Sequence, residues 1–153
     1  MSNSNYPLTE EEFKSIYSRV PKLTVEVIIK TPSGVVLSLR DLPSWHNQWH
    51  IPGGTVFYKE FVEDAVKRIA KSELGVDVSI IKLLGYLEYP SEEKERGFGQ
   101  SVGLAFLCET SALDFIPDAQ SSSIQTFLEI PENTLLEQKE FLQKHWDIIF
   151  GKE

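Results

Sequence analysis

The chain has 153 residues, 41% hydrophobic and 25% charged, with a formal net charge of −8. That size and composition fit one globular domain and exclude collagen, coiled-coil rods and disordered tails. The acidic balance excludes polymeric nucleic acid and anionic membrane surfaces as main partners, while a small phosphorylated ligand stays open if a cation screens the carboxylates.

Residues 1–7 read as a loose tail. Met1 to Tyr6 carries neither a basic segment nor an apolar one, and no stretch of the chain approaches the ~20 apolar residues of a membrane helix. A cytoplasmic location is expected. Thr9 with Glu12 forms a capping box that opens a helix to about Ser18, within an N-terminal region of 8–20. Phe13, Ile16, Tyr17 and Val20 give this helix an apolar face.

Leu23 to Thr31 is rich in β-branched residues and predicts a strand. Pro32-Ser33-Gly34 predicts a turn and Val35 to Arg40 the returning strand. A polar loop over 41–48 leads to Trp49-His50-Ile51-Pro52-Gly53-Gly54. The spacing then predicts a helix from Val62 to Leu74, with Gly75 as its C-terminal cap. Val76 to Tyr89 carries one or two strands, Ser91 to Gly99 a charged loop, and Ser101 to Glu109 a further strand. Ile124 to Ile130 reads as the last strand, followed by a helix opening near Pro131 or Asn133. The predicted order, α-β-β-α-β-β-β-α, implies one mixed sheet covered by helices. The single cysteine, Cys108, lies in an apolar run and reads as a buried, inert thiol.

The chemistry concentrates between Gly53 and Val76. A glycine pair lets a ligand approach the main chain. On the helix that follows, Val62, Val66, Ile69 and Glu73 share one stripe, so Glu73 falls in its apolar middle. A carboxylate there is costly unless an arginine or a cation meets it. Oxygen ligands of this kind suit Mg²⁺.

This segment resembles the Nudix box. Gly54, five residues, Glu60, seven residues, and then Arg68-Ile69-Ala70-Lys71-Ser72-Glu73-Leu74-Gly75-Val76 keep the box frame without a gap. Ile69 and Ser72 stand where the box has glutamates. That replacement is similar to the GDP-mannose mannosyl hydrolase branch of the Nudix superfamily. Leu8-Thr9-Glu10-Glu11-Glu12-Phe13, Val20-Pro21-Lys22-Leu23, Leu39-Arg40 and Gln48-Trp49 also fit that branch.

The resemblance implies an α/β/α sandwich with a mixed sheet, a single domain over 1–153, and a homodimer paired through the N-terminal region. It implies that the Gly53 carbonyl, Glu73 and Gln120 hold Mg²⁺, with Mn²⁺ as a substitute. Arg40 and Arg68 would meet a diphosphate, although Arg68 also suits a pairing inside the box, and Glu26 would lie near the nucleoside. The implied activity is metal-dependent release of sugar and nucleoside diphosphate from a nucleotide sugar, with Arg40, Arg68 and Glu73 as catalytic groups. Two residues depart from the branch. Thr55 replaces an arginine after the glycine pair, and Ser121 replaces a histidine base after Gln120. A neutral serine is no base near pH 7, so the base is left open among Glu92 to Arg96, His46 and His50. Two alternatives accompany this reading: a MutT-like pyrophosphohydrolase, and a catalytically inactive nucleotide-sugar-binding module.

Overall fold

The computed structural model describes residues 6–152. Helix α1 (Glu10–Tyr17) is followed by strands β1 (Lys22–Thr31), β2 (Gly34–Arg40), β3 (Trp49–His50) and β4 (Gly53–Thr55). Then come α2 (Val62–Leu74), β5 (Ser79–Glu88), α3 (Glu92–Arg96), β6 (Ser101–Glu109), β7 (Ser121–Phe127) and α4 (Leu136–Ile149). The strands described make one mixed sheet in the order β3-β2-β1-β6-β5, with β4 also on β1 and β7 also on β2. This is the expected α+β arrangement.

The centre of the sheet is the parallel pair β1–β6, registered from Lys22↔Ser101 to Lys30↔Glu109. A strand buried on both faces needs apolar side chains in succession rather than in alternation, and Val25, Val27, Ile28 and Ile29 meet that need. Odd positions of β1 pack with Val66, Ile69, Ala70 and Leu74 of α2. Ile28, on the other face, packs with Leu142 and Ile149 of α4. The two helices therefore cover opposite faces of one sheet.

Local signals are realised at α1 and α2. Thr9 accepts from the Glu12 N–H at 3.1 Å while Glu12 accepts from the Thr9 N–H at 3.0 Å, closing the capping box. Gly75 ends α2 at φ 71°, a left-handed conformation that glycine adopts without cost. Tyr6 packs edge-on against Phe13 and Phe57; residues 1–5 of the expected tail lie outside the described residues.

Five elements differ from expectation, the simplest being α4, which opens at Leu136 rather than near Pro131 or Asn133. The last strand runs Ser121–Phe127, three residues earlier than its apolar pattern suggests, because pairing with β2 sets its limits (Val35↔Phe127 to Arg40↔Ser121). The glycine approach is built from two very short strands, β3 and β4, rather than a loop alone. The segment 91–99 contains a helical turn, α3, stopped by Gly97 at φ 87°. Cys108 is fully buried and its thiol is pushed up to about 12 by burial, an inert group as expected.

Candidate functional site

A cavity of about 610 Å³ opens where β4, the end of β1, α2 and α3 meet. Gly53, Glu73, Glu26, Arg40, Arg68 and Gln120 all border it. The sequence therefore identifies six wall residues spread from position 26 to position 120.

Glu73 comes to the wall because its helix face is the one α2 turns toward β4. The backbone of Gly53 favours its charged form. Its Oε2 is buried with no hydrogen-bond partner. Burial, then the nearby carboxylates of Asp118 and Glu26, hold the Glu73 carboxyl well above the usual range. No arginine pairs with it among the described residues. An apolar setting, a second acid and an orphaned oxygen together leave the charge of Glu73 without a bonded cation, and the attraction of Arg40 does not make up for it. Asp118, which sequence reasoning missed, accepts from the Gln120 N–H at 2.9 Å and is itself raised by burial. Its only sequence signal was proximity to Gln120 in an irregular loop.

Glu26 is the second buried acid. The Tyr89 hydroxyl donates to its Oε1 at 2.8 Å and the Thr24 hydroxyl at 3.2 Å. Behind Tyr89, the Gln138 amide donates to the phenol oxygen at 3.0 Å, and the Ile51 N–H donates to Gln138 at 2.7 Å. This chain ties β1, β5, α4 and β3 to one carboxylate. Burial still raises Glu26 to about 7, against the opposing pull of Tyr89, Thr24 and Lys22. The glycines around it are required. A Cβ on Gly103 would meet Glu26 Oε1 at 2.6 Å, and one on Gly53 would collide with Glu26 Oε2. Gln138, a polar residue four positions before buried Leu142, was the one legible sign of this network.

The two expected arginines separate by charge balance. Arg68 is neutralised inside the loop. Its Nε donates to Glu60 Oε2 at 2.8 Å, and its Nη2 donates to Glu60 Oε1 at 3.0 Å and to the Thr55 carbonyl at 2.8 Å. The guanidinium also lies 3.6 Å from the centroid of the Phe57 ring. Arg68 therefore braces the segment 55–60 against α2, the pairing inside the box, and its charge is spent on Glu60. Arg40 bonds only neutral partners, Nε to the Ser44 carbonyl and Nη2 to the Ser44 hydroxyl, both at 2.9 Å. Burial and the neighbouring Arg96 push it down to about 10, so it stays a cation.

Ser121, the position aligned with a base, does not border the cavity; its strand position is fixed by pairing with Arg40. His50 does border it. However, its Nδ1 donates to the Ile51 carbonyl at 3.0 Å, and burial and Arg40 push it down to about 3. Such a weakly basic imidazole makes a poor base near neutrality. His46 lies outside the cavity wall, with its Nδ1 on the Leu42 carbonyl. Of the two tryptophans before the glycines, Trp49 packs edge-on against Phe127 and Trp45 is buried between the loop and α3. Ile69 and Ser72 explain the lost acids. Ile69 is core, and a Cβ on Gly54 would strike its Cδ1; the Ser72 hydroxyl turns back to the Ile69 carbonyl at 3.4 Å.

The family model of the NUDIX domain matches residues 20–148. The chain belongs to the NUDIX domain family. It is similar to the low-salt glycan biosynthesis protein Agl8 of Haloferax volcanii, with 39% identity over 82 residues, 54% of this chain. That match spans only 53% of the relative's length. In fold it is similar to a NUDIX hydrolase from Nitrosomonas europaea (TM-score 0.72, 21% identity, covering 86% of this chain and 74% of that one). It is also similar to a MutT NUDIX hydrolase from Burkholderia pseudomallei (TM-score 0.72, 20% identity, covering 81% and 97%). No helix among the described residues is long and apolar enough to cross a membrane.

Proposed function

We propose that the chain is a Nudix hydrolase of a nucleoside-diphosphate sugar that releases sugar and nucleoside diphosphate in a metal-dependent reaction. The observation that carries this reading is the orphaned, buried Glu73 oxygen beside Asp118 at the box glycine. The carboxylates of Glu73 and Asp118 are hard oxygen donors that suit Mg²⁺ or Mn²⁺, and the Gly53 carbonyl and the Gln120 amide oxygen would complete the set. Among the described residues no three His, Cys, Asp or Glu side chains gather as a metal cluster, so backbone and amide oxygens have to contribute. When bound, the metal would offset the charge of a departing diphosphate.

The chain's own residues supply the rest. Arg40, a cation with neutral partners, meets the diphosphate. Glu26, locked by Tyr89 and Thr24, offers its carboxylate to a hydroxyl of the substrate. Its rigid hydrogen-bonded setting favours orientation, since a group held by a network costs little further entropy on binding. A relative named for glycan biosynthesis is in keeping with a sugar-bearing substrate.

The MutT-like alternative is disfavoured by Ile69 and Ser72, which remove two acids from the box. Product analysis separates the two chemistries. Incubation with GDP-mannose, GDP-glucose and UDP-glucose is expected to give free sugar and nucleoside diphosphate, while ADP-ribose, which has no glycosyl–phosphate bond, is expected to stay intact. Sugar phosphate with nucleoside monophosphate would mean phosphorus–oxygen cleavage. Tight binding with no product from any of them would leave a binding module.

A further inference from the structure

The resemblance supplies two arginines for a diphosphate, and in the structure one of them, Arg68, is engaged by a carboxylate. Arg68 is neutralised by Glu60, and Thr55 stands where the branch has a further arginine. Another guanidinium occupies the wall. Arg96, at the end of α3, borders the same cavity as Arg40 and Glu73. Arg96 Cζ lies 5.6 Å from the centroid of the Trp45 ring and Arg40 Cζ lies 5.4 Å from it, so one indole is shared by two cations.

Trp45 is held to α3 at both ends. Its N–H donates to Glu95 at 3.1 Å and its Nε1 donates to the Ser91 hydroxyl at 3.0 Å. The loop that follows Arg40 and the helical turn bearing Arg96 are therefore stitched into one unit. Charge counting points the same way. Glu92 is buried, and its Oε2 is shared by Lys22 at 3.3 Å and Arg96 at 3.4 Å. One carboxylate faces two cations there, and Arg40 has no acid bonded to it. Like charges in a poorly hydrated cavity repel, and a multiply charged anion removes that cost.

We propose that Arg96 is a diphosphate ligand of this site, acting with Arg40 beside Trp45, with Glu92 as the residue that positions it. This rests on the reading of the cavity as a nucleoside-diphosphate site. The planar guanidinium matches phosphate oxygens in a fork that lysine lacks.

The test is calorimetric titration of the full chain, in Mg²⁺, with GDP, ADP, UDP and inorganic pyrophosphate, and with the matching monophosphates. Arg96→Gln is expected to weaken diphosphate or pyrophosphate binding roughly tenfold or more, and monophosphate binding by much less. Arg96→Lys should recover only part of that loss. A general structural defect would weaken all these ligands alike and lower the melting temperature, which overturns the proposal. So does an Arg96→Gln protein that binds diphosphates as the wild type does. Failure of the wild type to bind any of the diphosphates would instead remove the nucleoside-diphosphate reading, and this proposal with it.

Discussion

Glu73 has a carboxylate oxygen buried without a partner, and the backbone of Gly53 favours its charge without overcoming the cost of burial. The box glycine thus eases, but does not meet, the need of this acid for a positive partner. Glycine is needed at this place because any side chain would run into Glu26 from β1. Gly53 therefore lies against both Glu26 and Glu73.

The first consequence concerns stability. Ionising Glu73 is costly in the metal-free protein, since its carboxyl is held well above the usual range by burial and by Asp118. Glu73→Gln keeps the shape of the side chain and removes that cost. In chelator the variant is expected to melt higher than the wild type, by about 2–5 °C. Added Mg²⁺ should raise the melting temperature of the wild type and leave the variant unmoved. Equal metal stabilisation of both proteins in a thermal melt contradicts the assignment.

The second concerns pH. The Glu26 carboxyl titrates at about 7 in the fold against 4.5 ordinarily, so its protonated form is preferred when folded. The stability it contributes is complete below 4.5 and is lost as pH rises toward 7. His50 runs the other way, at about 3 against 6.5. Its contribution is complete above 6.5 and is lost as pH falls toward 3. Melting temperatures measured across this range in chelator should be flattened on the upper side by Glu26→Gln and on the lower side by His50→Gln. An unchanged upper slope in Glu26→Gln would refute the first half.

The third concerns the brace. Arg68 and Glu60 form a two-pronged pair that is less than one-third exposed. A double-mutant cycle with Arg68→Gln and Glu60→Gln should show coupling of about 1 kcal/mol in folding stability, after allowance for partial exposure. A cycle with no coupling would mean that the pair merely decorates the surface.

The apolar face of α1 was readable as a heptad-like stripe, yet only its inner part is used. Phe13 is buried against Tyr17 and Phe98, whereas Ile16 is 41% exposed and Val20 49%. A homodimer through this region is predicted to give twice the chain mass at micromolar concentration by sedimentation, and Ile16→Glu with Val20→Glu should return a monomer. A monomeric wild type contradicts it.

Glu73 was legible because a carboxylate at helical spacing inside an apolar stripe is a local conflict that needs a cause. The capping box at Thr9 and Glu12 and the stop at Gly75 were legible for the same local reason. Arg68 was only half legible. Spacing places it on the box helix, but cannot tell whether its long side chain reaches out to a ligand or back to Glu60. The serine run opening β7 carries no apolar alternation, and it becomes a strand through pairing with β2. The pair of Lys22 with Glu92, seventy residues apart in sequence, exists only in the folded chain. The same holds for Arg96 beside Trp45. Such long-range meetings of charged groups leave no periodic trace in a single sequence.

If Glu73 anchors a metal-dependent hydrolysis of a nucleoside-diphosphate sugar, its loss must stop turnover. This is read from GDP-mannose and the other nucleotide sugars with Mg²⁺, resolved by anion-exchange chromatography, for the wild type and for Glu73→Gln. The wild type is expected to release nucleoside diphosphate, with release abolished by chelator and reduced at least a hundredfold in the variant, about 3 kcal/mol of barrier. Turnover that survives in Glu73→Gln, or a wild type that turns over none of these compounds, would contradict it.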